Sequence, residues 1–338
     1  MEGNITSSSY SSNVLAILTY IQYYIIAIMN PTLAILGTIG NVIIIFFLPK
    51  KKIKMNDSSK FYCVTIAIGD LGALLFYHVR EFVSVGLWFI TSGRYYFHYF
   101  NQISCKFYSI VYFIFFTISL YTVIAFSIER NIALYWPLKY RAYVAKNVAI
   151  VLLCICCSPP LLFLVPLGSL SINSIQLSSS QLPYCVSDPN SPLYAIFSTA
   201  LTFFMMLFHP PITAILVLGI ILKIITSTYH RAKLGVRVKE EALSITEKRS
   251  VVTLLAVALI NLVIFLPSTI FYSGTFIIRV QSPSSSIRPL WELLARLAFQ
   301  LTSLTHSANF FVYFTIIPTF RSALLHKNLI TSQEYTAN

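Results

Sequence analysis

Charge is scarce in this chain. Asp, Glu, Lys and Arg make up 10% of its 338 residues, against about a quarter in a soluble domain. So few charges cannot build a water-facing surface, which excludes an ordinary globular domain. Basic residues are missing from the first 30 positions, and residues 1–13 are polar. A cleavable leader with a positive start is therefore not expected, and the first apolar segment should act as its own insertion signal. Internal repeats are absent, as is any linker long enough to set off a second domain. The six histidines (His78, His98, His209, His230, His306 and His326) have no metal-ligand spacing, and no nucleophile–base set stands out. An enzyme is not expected.

What the chain does have is apolar length. Hydrophobic residues reach 57% and mean hydropathy is +0.74. A span needs about 20 apolar residues, so this length suits one bundle of seven. The pattern predicts helices over roughly 20–48, 60–90, 102–135, 144–168, 192–226, 246–278 and 290–317. Asn30-Pro31, Pro159-Pro160, Pro210-Pro211 and Pro267 fall inside them. In a bilayer such prolines kink helices without breaking them, because neighbouring helices satisfy the freed backbone groups. The expected fold is an all-α membrane protein, a seven-transmembrane helix bundle with its N-terminus outside. Residues 1–19 form the extracellular tail, 20–328 the membrane domain and 329–338 a cytoplasmic tail.

The net charge of +13 is distributed unevenly. Eighteen of the 24 Lys and Arg fall in segments 49–60, 130–147, 223–249 and the tail, all on one side of a seven-span bundle. This is the positive-inside bias; it orients the chain and argues against a nucleic-acid partner. The bilayer is the partner expected for these segments, chiefly its anionic inner leaflet, and the plasma membrane the location. Of the six cysteines, Cys63, Cys154, Cys156 and Cys157 lie inside helices and read as small apolar packing. Cys105 and Cys185 fall outside, where an oxidising compartment would pair them. Asn4-Ile5-Thr6 is a glycosylation sequon on the outer side; Asn56-Asp57-Ser58 matches too but lies inside.

Polar groups within spans are costly in lipid and mark function. Asp70, Ser119 and Asn309 offer oxygens for a small cation such as sodium, or serve a purely structural hydrogen-bond set. No other cofactor is expected. Arg80 is ten residues above Asp70, about 15 Å nearer the outside at 1.5 Å per residue. There it should face a water-filled cavity. Glu81 is one residue on, some 100° around the helix, so the two should point apart. Arg296 follows Glu292 by four residues and reads either as a pocket charge or as an i,i+4 surface bridge. Tyr112, Phe265 and His209 complete the expected ligand-binding wall.

In order and at matching spacing, the motifs resemble the rhodopsin-like G-protein-coupled receptors over about 20–328. Gly40-Asn41 resembles the helix-one signature, and Asp70 the helix-two aspartate. Cys105 precedes Arg130 by 25 residues, and Pro137-Leu138 follow seven residues later. Glu129-Arg130-Asn131, Phe208 with Pro211, Phe265-Leu266-Pro267, Asn309 with Tyr313, and Phe320-Arg321 resemble the remaining signatures, the last beginning a short cytoplasmic amphipathic eighth helix. The resemblance implies a receptor that binds an extracellular ligand and activates a heterotrimeric G protein. It implies a switch built from Glu129, Arg130, Glu247, Phe265, Pro267, Asn309 and Tyr313, with Glu247 holding Arg130 in the off state.

Several positions depart from the family pattern. Asn131 stands for an aromatic, Gly219 for a tyrosine and Asn261 for an aromatic. Phe310 stands for a proline, as in several invertebrate neuropeptide receptors. Helix four lacks its usual Trp, and Trp88 lies farther from Cys105 than usual. Tyr112 occupies the place of the amine-binding Asp and Ser303 that of the retinal Lys, so the resemblance, strongest to invertebrate neuropeptide receptors, implies a neuropeptide ligand, with a small molecule or lipid as the alternative. A secondary transporter or channel would also explain the spans and Asp70, but it predicts inverted repeats and leaves Glu129-Arg130 unexplained. A receptor-like protein that no longer signals stays open.

Overall fold

The computed structural model describes residues 3–92, 102–137, 145–175, 184–187, 192–233, 245–282 and 284–325. Its helices are α1 (3–47), α2 (Asp57–Ile90), α3 (Gln102–Tyr135), α4 (Ala145–Ser171), α5 (192–233), α6 (Ile245–Gln281), α7 (Arg288–Ile316) and α8 (Pro318–Leu325). Among the described residues, α1 to α6 are each long and apolar enough to cross a membrane, and α7, bent by 93° from α8, makes the seventh span. The chain breaks at Ile317 (φ −105°, ψ 92°), and Pro318 opens α8. Phe320 is buried beside Phe310, and Thr319 Oγ1 accepts from the Lys54 amide, so α8 is pinned beneath the bundle.

Two features differ from expectation. The first helix starts at Gly3, not near residue 20, so the serine-rich stretch read as tail is helical. Propensity is a weak prior, and a helix already packed further along can run on through poor formers. Second, β1 (Ile172–Ile175) and β2 (Tyr184–Ser187) form an antiparallel hairpin, the only strands among the described residues. Residues 326–338, including the expected tail 329–338, lie outside the described residues.

Wide π-helical turns replace α-helix at Ile25–Met29, Leu74–His78, Phe82–Gly86 and Phe203–Phe208. The first precedes Asn30-Pro31 and the last precedes Pro210-Pro211. A proline lacks an N–H and its ring crowds the preceding turn; a widened turn relieves both. Pro159, Pro160, Pro166 and Pro267 all lie within continuous helix.

The buried side chains form two clusters around α3. One, at the Lys-rich end, contains Ile44, Tyr62, Phe126, Leu254, Tyr313 and Phe320. The other, in the opposite half, contains Tyr112, Phe116, Met206 and Phe265. Large apolar side chains outside the clusters face outward, among them Ile35, Phe46, Ile155, Leu162, Ile215 and Val263. An outward apolar belt fits a bundle solvated by lipid.

Candidate functional site

Glu129 and Arg130 lie near the C-terminal end of α3, both fully buried. The Arg130 Nη2 donates to Glu129 Oε1 and, at 3.0 Å, to Ser58 Oγ; that hydroxyl donates in turn to Glu129 at 2.6 Å. Neighbours on one helix thus pair directly and share a serine of α2. The Arg130 guanidinium also lies 5.6 Å from the Phe126 ring centre, and Phe126 stacks on Tyr62 at 5.0 Å. Ser58 was visible in the sequence only as part of the second sequon; its burial at this junction leaves that sequon structural. Glu247 sits in the first turn of α6, half-buried.

Two of the family departures prove to be one feature. The Asn131 amide donates to Ser127 O at 2.9 Å and to Leu216 O of α5 at 3.1 Å. A Cβ on Gly219 would stand 2.9 Å from Asn131 Oδ1. Tyr135 also donates to the Gly219 carbonyl, at 3.1 Å. The missing side chain at 219 lets α5 approach α3, and Asn131 fills the join.

At mid-bundle Asp70 gathers α2, α3 and α7. Its Oδ1 accepts from Ser119 Oγ at 2.5 Å and from His306 Nδ1 at 2.7 Å; its Oδ2 accepts from Asn309 Nδ2 at 2.5 Å. Asn41 of α1 donates to the His306 carbonyl at 2.9 Å. Sequence reasoning brought Asp70, Ser119 and Asn309 together but gave His306 no role, since the histidines lack metal-ligand spacing. The available signal was its position, one turn before Asn309 on the same helix face.

The opposite half holds a cavity of about 790 Å³ between α5, α6 and α7, with Phe197, Tyr272, Arg279, Arg288, Glu292 and Arg296 in its wall. Glu292 accepts from Arg279 Nη2 and from Arg288 Nε, each at 3.0 Å. The i,i+4 bridge is therefore Arg288–Glu292, one turn earlier than the Glu292–Arg296 pair considered from sequence. Arg296 is exposed in the wall, with no partner among the described residues.

Of the expected ligand residues, this wall takes in Arg296 alone; Arg80, Glu81, Tyr112, His209 and Phe265 lie outside it. Arg80 and Glu81 do not point apart but pair at 2.6 Å. Both side chains are long, and the wide turns on either side of Val79–Glu81 shift the helix phase from the ideal 100°. Tyr112 is buried and stacks on Tyr77 at 4.6 Å. The His209 ring meets Leu120 O at 3.2 Å and joins α5 to α3. Phe265 is fully buried, with its ring centre 6.0 Å from that of Phe116. The Cys105 and Asn4 side chains and all side chains of the hairpin, Cys185 included, lie outside the described ones. The hairpin itself packs on α3, whose first turn carries Cys105.

Residues 40–313 match the family described as 7 transmembrane receptor (rhodopsin family). The chain is also similar to the G-protein coupled receptor homolog K2 of Swinepox virus (strain Kasza), 25% identical over 201 residues that cover 58% of this chain and 50% of that protein. It thus spans about half the length of the curated relative it matches.

Proposed function

The chain belongs to the seven-transmembrane receptors of the rhodopsin family, a multi-pass plasma-membrane family of signalling receptors and not of enzymes, and from that premise we propose that it binds an extracellular peptide bearing an acidic group and activates a heterotrimeric G protein. The observation that carries this reading is the arginine-lined cavity. Its volume suits a ligand pocket. Three arginines face one carboxylate, and Arg296 has no partner among the described residues, so the wall favours an anion. A guanidinium fork matches a carboxylate in two-point geometry, such as a free peptide C-terminus or an acidic side chain. The Lys-rich end lies in the cytoplasm, placing Arg130 where a G protein docks. Phe265, Pro267, Asn309 and Tyr313 form the moving path between the two ends. Cys105 and Cys185 close a disulfide between α3 and the hairpin, and Asn4 carries a glycan.

The test is a peptide library, acidic and amidated, read through a G-protein activation reporter. The expected hits are acidic. Arg296→Ala then weakens binding at least tenfold, about 1.4 kcal/mol, at matched surface levels. Hits confined to cationic peptides, or an unshifted curve for Arg296→Ala, would remove the anion site. Hits confined to lipid or small-molecule acids would keep that site and remove the peptide. Glu247→Ala, with no ligand added, raises basal signalling because the off state loses a tether on Arg130 while the on state loses nothing. Unchanged basal output at normal surface expression counts against the tether, and no response under any condition favours a receptor-like protein that does not signal.

A further inference from the structure

The residues around Asp70 do not suit the sodium ion expected from sequence. A hard cation takes oxygen ligands and needs lone pairs directed at it. Ionised, the Asp70 carboxylate has about four lone-pair directions. Three are taken, by Ser119 Oγ, His306 Nδ1 and Asn309 Nδ2. The His306 nitrogen lies 2.7 Å from Oδ1, so the carboxylate meets an N–H where a cation would sit. An imidazole N–H directs positive charge at its acceptor and would repel a metal ion there. The His78 and Phe116 rings pack on that imidazole, 6.0 Å and 5.7 Å away between centres, and neither brings an oxygen to the site. His306, His78 and Asp70 are all buried, which leaves little room for a hydrated ion.

We propose that His306 is the resident partner of Asp70 and takes the place of sodium, so that the tie between α2 and α7 is internal to the chain and independent of the ion. Helices α2, α3 and α7 then meet at one carboxylate through side chains alone, and α1 is tied to the same point through the His306 carbonyl. An ion that binds neither state of a receptor has no differential affinity with which to shift it. Ligand binding to this receptor is therefore not coupled to sodium. Replacing the imidazole by a small hydroxyl should reverse this, since it frees a lone pair of Asp70, opens volume beside it and adds an oxygen.

The experiment is thermal unfolding of the purified full-length chain in detergent, titrated with sodium chloride against choline chloride at equal ionic strength. A bound ion stabilises the folded state by mass action, and the shift grows as sites fill. Wild type is expected to melt at the same temperature in both salts. His306→Ser is expected to start lower and to rise by several degrees as sodium is added, and His306→Ser/Asp70→Asn not to rise. A sodium-specific rise in wild type that Asp70→Asn abolishes would overturn the proposal. So would a wild type and a folded His306→Ser that both ignore sodium, since His306 would then not be what excludes the ion. Should His306→Ser fail to fold, His306→Asn is read in the same way, and the wild-type titration decides if neither folds.

Discussion

Arg130→Ala is expected to reduce G-protein activation to that of cells lacking the receptor, and to lower the amount of folded protein as well. The second effect follows from burial. Glu129 is left in a site where it is fully buried, with Ser58 Oγ still donating but the guanidinium gone. Removing one partner of a buried ion pair costs roughly 3–5 kcal/mol, because the other charge is stranded. Signalling must therefore be compared at matched surface levels, and with Arg130→Lys, which keeps the charge but loses the planar fork. The readout needs no ligand: the basal signal expected of Glu247→Ala should vanish in Glu247→Ala/Arg130→Ala. A double variant as active as the single one would mean that Arg130 takes no part in coupling.

Gly69→Ala is expected to be strongly destabilising, because the methyl it adds meets backbone. An added Cβ would lie 2.6 Å from the Ser119 amide nitrogen and 2.9 Å from both the Phe115 carbonyl and the Ser119 Cα. All three are backbone atoms of α3, so no rotamer change relieves the clash and α2 must move away. Overpacking costs roughly 1–3 kcal/mol when side chains can adjust, and more when they cannot. Asp70 follows directly, so the same displacement stretches its 2.5 Å hydrogen bond from Ser119. Gly219→Ala is the internal comparison. There the Cβ would meet only the movable end of Asn131, and the loss should be far smaller. Thermal unfolding of both variants in detergent checks this, and equal losses would refute the backbone argument.

Some of this was legible in the chain as written. Spans show in sequence because a bilayer demands about 20 apolar residues in a row, a requirement of one helix at a time. The motif order from Gly40-Asn41 to Asn309 and Tyr313 is likewise one-dimensional, and it agrees with the family match over 40–313. Side-chain partnership was less legible. Arg80 and Glu81 were expected to diverge on an ideal helix, and the wide turns flanking them set a different phase. Tyr112 and His209 have the residue types of a pocket wall, yet Tyr112 stacks in the core and His209 braces α5 on α3. Asn131 and Gly219 each looked like a loss, and only their contact makes them complementary.

By itself the sequence determined that this chain is a seven-span membrane protein of one receptor family and where its lysines concentrate, since hydropathy and charge act through the local cost of placing each residue in lipid. Tertiary structure alone decided that Ser58 joins Glu129 to Arg130, that Glu292 chooses Arg279 and Arg288 over Arg296, and that His306 reaches Asp70. Each joins residues whose pairing depends on how helices pack or turn. A buried polar group takes whichever partner packing brings within about 3 Å, and that distance is not written in the spacing of residues along a chain.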